Sequence, residues 1–258
     1  MMSTMFKKRL IPAIIFMACV MPLVLHAVEY DNEYLSYRAT YKWGFIQKVA
    51  GDASLTLRHD PDGYHAILTA KTRPWADPIF SVRDTLTGRM RNGDMAPVLY
   101  DKTTHEGGKY GHDVITYTYT GNTATAHCTR YKLDKKGRET TSEITLSAKE
   151  PAVDMLSVYY FVRRLPFESM KPGTVSHATI FSGKKKENLA LTFEGIENVK
   201  LDGHTYECYR VSFTFSVDRL QNSSAPMRAW IRTDGTRIPI KLEGELTIGK
   251  IQVLWNRP

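Results

Sequence analysis

The sequence predicts an all-β, mainly antiparallel fold: an open or partly closed β-barrel or curled sheet with one central helix at about 152–165. Three observations carry that expectation. From residue 34 onward, apolar and polar residues alternate in strand-length runs rich in Val, Ile, Thr and aromatic residues. Turn-forming pairs, among them Gly121-Asn122, Asp202-Gly203 and Asp234-Gly235, recur at strand-length intervals. Helical apolar spacing occurs in one stretch, PAVDMLSVYYFVRRLPF at 151–167.

In chain order, 34–43 puts Leu35, Tyr37, Ala39, Tyr41 and Trp43 on one face, with Ser36, Arg38, Thr40 and Lys42 on the other. Gly44 and Gly51 bracket a turn or bulge, and Ala53, Leu55 and Leu57 resume the alternation. Asp60-Pro61-Asp62-Gly63 is turn chemistry before a strand at 64–71. The prolines of Arg73-Pro74-Trp75-Ala76-Asp77-Pro78 make a loop, with Trp75 exposed or tucked over a barrel mouth. Strands follow around Asn92-Gly93-Asp94, Gly107-Gly108, Gly121-Asn122 and the turn at 134–137. In the helix, Asp154 is placed to cap the N-terminus and Pro166 stops it near Arg164. Beyond it, 175–181, 189–193, 227–232, 238–248 and 251–255 read as strands. No internal repeat or linker divides the chain.

The start of the chain is a targeting segment. Lys7, Lys8 and Arg9 precede an apolar run at 10–25, and Leu25-His26-Ala27 ends in a small residue suited to signal peptidase. The expected division is a signal peptide at 1–27 and a single β-rich exported domain at 28–258, periplasmic or associated with an outer membrane. Pro12 and Pro22 interrupt the run, which favours cleavage over a retained span of about 20 apolar residues. Lipid modification at Cys19 is the alternative, though Phe16 and Met17 fit a lipobox poorly. Cleavage lowers the net charge from +8 to +5, since the leader takes three cations and no acid. That modest basic excess suits anionic envelope lipids or glycans, with ordinary solubility charge as the simpler reading. Export and the scatter of basic residues among acids argue against nucleic acid.

Cys128 and Cys208 remain after cleavage. An oxidising compartment permits a disulfide between them, and two buried free thiols are the alternative. No GxSxG, HExxH, P-loop or dinucleotide-binding glycine pattern is present, so no catalytic residue, metal or cofactor is assigned. His105 and His112 flank Gly107-Gly108 and would need Glu106 or Asp113 as a third metal ligand; solvated loop histidines are the simpler reading. Arg163 lies two turns beyond Asp154, placed either to pin the helix to a strand through a bidentate pair or to meet an anionic head group. Trp230, Asp234, Arg237 and Pro239 pair an aromatic anchor with a turn and a charge. Together with the aromatic residues of an open barrel, this makes Trp43, Trp75, Tyr159, Arg163, Trp230 and Arg237 the candidate ligand-binding residues, with core filling as the competing role.

The segments YLSYRATYKWGFIQKVAGDASLTL, FSVRDTL, DMLSVYYFVRRLPF and AWIRTDGTRIPIKLEGELTIGKIQV, in that order, resemble the exported bacterial proteins known as domain of unknown function 3108, in the branch found in Bacteroides-type bacteria. The resemblance spans essentially the whole mature chain. It implies a single exported β-rich domain and no activity. The expected function is therefore a non-enzymatic envelope protein that binds a lipid-like, glycan or otherwise amphipathic ligand, or an outer-membrane partner. A periplasmic carbohydrate-active or other hydrolase, betrayed by two facing carboxylates, and an envelope scaffold are the alternatives.

Overall fold

The computed structural model describes residues 30–149, 151–216, 226–245 and 249–258, without the side chain of residue 46. The expected signal peptide and Cys19 lie outside the described residues. The first eight strands form a meander: β1 (Glu33–Trp43), β2 (Ile46–Asp60), β3 (Gly63–Thr72), β4 (Val82–Met90), β5 (Pro97–Glu106), β6 (Lys109–Thr120), β7 (Thr123–Leu133) and β8 (Glu139–Lys149). A two-residue strand, β9 (Ala152–Val153), leads into helix α1 (Ser157–Arg163) and a single 3-10 turn at Phe167–Ser169. The second half comprises β10 (Val175–Phe181), β11 (Lys186–Leu201), β12 (His204–Ser216), β13 (Met227–Arg232), β14 (Pro239–Glu245) and β15 (Lys250–Asn256).

All fifteen described strands join one sheet, ordered β8-β7-β6-β5-β4-β3-β2-β1-β15-β14-β13-β12-β11-β10-β9. The sheet curls into a nearly closed barrel. Neighbours pair antiparallel, except that β9 runs parallel to β10, with Ala152 opposite Thr179 and Val153 opposite Ile180. This pairing corrects the expected helix bounds: the residues read as its first turn are spent on a strand, and regular helix begins at Ser157.

The alternation places Leu35, Leu55, Leu57, Ala66, Tyr100, Ile115, Ala126 and Cys128 in the main core. The β1–β2 register shifts between Ala39 and Thr40, where Ala50 is the extra residue of a bulge. Past it the predicted alternation fails: Thr40 is buried and Trp43 is exposed. Helix α1 is wedged between clusters. Leu156 and Tyr160 enter the main core, and Leu156 sits over Gly88, where a Cβ would lie 3.1 Å from its methyl. Phe161 and Val162, continuing to Leu165 and Phe167, pack against Leu191, Phe193, Val211 and Ile231 of β11–β13.

Two polar devices hold this short helix. Asp154 is buried, and its Oδ1 accepts from the Leu156 and Ser157 amides at 2.8 and 2.7 Å, while its own amide donates to Ser157 Oγ at 2.8 Å. The Asp154 carbonyl accepts from the Val158 amide, so Asp154 opens the turn ahead of the regular helix as the sequence suggests. At the other end, Arg163 is fully buried. It forks onto Glu33 of β1 with bonds of 2.7 and 2.8 Å, and donates to the carbonyls of Arg237 and Thr236 at 3.0 and 2.7 Å. Its guanidinium lies 4.3 Å from the Tyr30 ring centre and 5.1 Å from that of Tyr159. Arg237 answers in reverse. It donates to the Leu165 carbonyl at 3.0 Å and the Arg163 carbonyl at 3.5 Å, and pairs with Glu168. The β13–β14 connection at 233–238 is shaped for this exchange. It is wider than the hairpin that Asp234-Gly235 suggests, and Arg237 takes the positive φ of 50°.

Truncating Arg163 would leave Glu33 without its partner and two carbonyls unsatisfied. Arg163→Ala is expected to lower unfolding free energy by about 3–5 kcal/mol, and Arg163→Lys by less, since the ammonium keeps the charge and loses the fork. Denaturant midpoints check this; a loss below about 1 kcal/mol for the alanine variant would refute the clasp. Burial outweighs the capping bonds and pushes the Asp154 carboxyl up to about 6. The folded protein therefore holds a proton that the unfolded chain releases near pH 4. The destabilisation is absent below that pH, grows as pH rises, and is complete above about 6. Relative to Asp154→Asn, wild-type stability should fall by roughly 2–3 kcal/mol between pH 4 and 6.5; a pH-independent difference would contradict it.

Candidate functional site

Strand register assembles a charged cluster that no contiguous motif encodes. On the buried face, Leu35, Leu55, Leu68 and Leu86 stand opposite one another across β1 to β4. The same row continues into Lys102, Asp113 and Arg130 on β5 to β7. Asp113 is 1 % exposed. Its carboxylate accepts from Arg130 Nε at 3.0 Å and lies 3.2 Å from the Lys132 ammonium and 3.9 Å from that of Lys102. Three cations share one carboxylate, so the cluster carries an excess of positive charge. The β10–β11 tip closes over it at Gly183, where φ is +95° and a Cβ would stand 3.2 Å from Asp113 Oδ2.

The neighbouring row runs Tyr37, Ala53, Ala70, Asp84, Thr104, Gly111 and Lys132. Lys132 thus belongs both to the cluster and to the wall of a cavity of about 760 Å³ at the strand ends. Ile79 and Phe80 from the β3–β4 loop, Tyr110, Lys109 and Lys135 complete the part of the wall that matters chemically. Phe80 is held there by the β5–β6 turn, packing on Gly107, whose amide donates to the Ser81 carbonyl at 2.8 Å. The mouth therefore joins apolar surface to three ammonium groups, with the carboxylates of Glu106 and of Asp77, itself paired with Arg83, also in its wall.

Glu106 lines the same cavity and stands close enough to Asp84 to share a proton. Burial first, then the hydrogen bond and charge of Glu106, push the Asp84 carboxyl up to about 6. Facing carboxylates are thus present, but at hydrogen-bonding range. A glycosidase pair needs about 5 Å or more between its carboxyl groups to admit the sugar and water.

Of the six residues singled out from the sequence, the fold brings together Tyr159, Arg163 and Arg237. They form the clasp, where Tyr159 also shares a 2.8 Å hydrogen bond with Tyr37, and Arg163 takes the strand-pinning role. Trp75 is half-buried beside β2, its Nε1 donating to the Val49 carbonyl at 2.8 Å. Trp43 lies on the exposed end of β1, and Trp230 is a core residue with the Lys241 ammonium 4.1 Å from its ring centre. None of the six lines the mouth. Of the two alternatives for the cysteines, the structure has the second: Cys128 and Cys208 are buried free thiols on strands that do not neighbour one another, and burial pushes the Cys208 thiol up to about 12. His112 bonds Asp101 at 2.9 Å on the face opposite Asp113, so those two residues cannot share a metal. Among the described residues no three His, Cys, Asp or Glu side chains converge to hold a metal ion.

Sequence reading missed Lys102, Arg130 and Lys132, and named Asp113 only as a possible metal ligand. The signal was available: Asp113 alternates with Ile115 and Tyr117, and Arg130 with Cys128 and Ala126, so charges occupy positions on an apolar face.

Comparison with known proteins agrees with the architecture. A crystal structure of a beta-barrel-like protein of domain of unknown function DUF1849 from Brucella abortus superimposes with a TM-score of 0.58 at 8% sequence identity, covering 88% of this chain and 96% of that one. Such a likeness is one of fold. No curated protein matches. The profile described as "Protein of unknown function (DUF3108)" matches residues 36–254, and with a match of that extent the chain belongs to this family.

Proposed function

We propose that the protein is an exported, non-enzymatic binder of an amphipathic ligand that carries an anionic group, taken up at the cationic mouth. The observation that carries this is the cavity of about 760 Å³ in which Ile79, Phe80 and Tyr110 meet Lys109, Lys132 and Lys135, backed by Lys102 and Arg130. A hydrocarbon segment gains from the apolar wall, while a carboxylate or phosphate answers the excess positive charge at Lys132. The basic-then-apolar pattern of residues 7–27 supports export, and export would bring the protein among envelope lipids or glycolipids. A second groove combines the hydroxyl row Ser36, Ser54, Thr69, Thr85 and Thr103 with Tyr37, Ala53 and Ala70, and lacks the cluster of ammonium groups found at the mouth.

The Asp84–Glu106 pair favours a second reading, acid–base chemistry beside the mouth, where Glu106 lines the cavity and Asp84 the neighbouring groove, although its spacing is too close for glycoside hydrolysis. One titration separates the two. A dansylated undecanoic acid should bind with enhanced fluorescence, and its uncharged methyl ester at least about tenfold more weakly, since a charge-assisted contact contributes about 1.5 kcal/mol or more. Lys132→Gln and Phe80→Ser should each weaken the acid, whereas Asp84→Asn should leave it bound. Equal affinity for acid and ester, or no uptake of either, would remove the proposal.

A further inference from the structure

Hairpin topology gathers four connections at one end of the sheet: β1–β2, β3–β4, β5–β6 and β7–β8. That rim exposes large apolar side chains at its tips. Trp43 is 56%, Phe45 109%, Ile79 77% and Phe80 54% exposed. Lys48, Lys109, Lys135 and Lys136 stand among them, all exposed. No ion pair joins any of these four lysines to a carboxylate among the described residues, whereas Arg73, Arg83 and Arg138 nearby are paired with Asp52, Asp77 and Asp134. The loops are anchored beneath: the Arg73 amide donates to the Ala50 carbonyl, and Trp75 is pinned to Val49 under the Lys48 ammonium, 4.3 Å from its ring. The β3–β4 loop, which carries Ile79 and Phe80, is therefore tied to β2.

We propose that this rim docks the protein on an anionic lipid surface, with the aromatic rings and Ile79 entering the headgroup layer and the free lysines meeting lipid phosphates. The arrangement distinguishes a bilayer from a protein partner. Protein interfaces gather apolar residues into one central patch and are depleted in lysine. Here the apolar groups sit on separate turns with ammonium groups between them, the pattern that suits aromatic residues at the membrane interface and lysines attracted by anionic headgroups. The rim shares Ile79, Phe80, Lys109 and Lys135 with the cavity wall, whereas Trp43, Phe45, Lys48 and Lys136 lie outside it, so variants of these four separate lipid docking from ligand uptake.

Vesicle flotation tests it, using the chain from Val28, which contains every described residue. The protein should float with phosphatidylglycerol–phosphatidylcholine vesicles and not with phosphatidylcholine alone, and added salt should release it. Trp43→Ser combined with Phe45→Ser, and separately Lys48→Glu combined with Lys136→Glu, should each reduce recovery about tenfold, with melting temperature and uptake of the dansyl acid unchanged, since none of the four lines the cavity. Equal recovery on both vesicle types, recovery indifferent to both double variants, or no flotation at all would overturn the proposal. So would a rim-dependent dimer in sedimentation velocity without vesicle binding, which would assign the surface to a second copy.

Discussion

The reciprocal exchange between Arg163 and Arg237 is the constraint on which the rest of the architecture depends. A seven-residue helix has no stability of its own in water. Its apolar side chains face two different clusters, so packing alone leaves it free to slide between them. The arginines remove that freedom. Arg163 binds the main chain at Thr236 and Arg237, and Arg237 binds the main chain at Arg163 and Leu165. Glu33 ties the same point to the first strand, so three segments distant in sequence meet at one ion pair. The burial of a guanidinium disfavours its charge, yet Tyr159, Glu33 and Tyr30 more than compensate, and Arg163 remains protonated. The positive φ at Arg237 is the local strain that this arrangement sustains.

Around that point the barrel has two unlike ends. One is filled by the helix and the Phe167 turn; the other is open, charged and rimmed with apolar tips. An almost closed sheet still has two edges, at β8 and β9. β8 carries exposed Glu139, Glu143 and Lys149 along its length, and β9 has only two residues. Both features limit pairing with other chains.

Much of the fold is legible in the sequence because antiparallel strands advertise themselves through alternation and turn chemistry, both local. The turns at Asn92-Gly93, Gly107-Gly108, Gly121-Asn122 and Asp202-Gly203 fall where the residues place them. Asp154 as a cap and Arg163 as a pin follow from spacing along one helix. What escapes is whatever depends on partners far away. The parallel pairing of Ala152 and Val153 with β10 cannot be read from two residues, and the bulge at Ala50 that exposes Trp43 is a property of two strands together. The mouth is the extreme case. Lys102, Asp113 and Arg130 are unremarkable singly, and register alone makes them neighbours.

That same trio carries a consequence for how the chain finds its alignment. β5, β6 and β7 each carry Thr and Tyr among alternating apolar positions, and such strands would pair nearly as well if displaced by two residues. Such a displacement preserves which side chains point inward, so the hydrophobic pattern cannot veto it. It would, however, take Asp113 away from Lys102 on β5, and on β7 set it opposite Cys128 or, in the other direction, Lys132 in place of Arg130. The buried acid thus acts as an index mark for three strands, rejecting misregistered hairpins that hydrophobicity would accept.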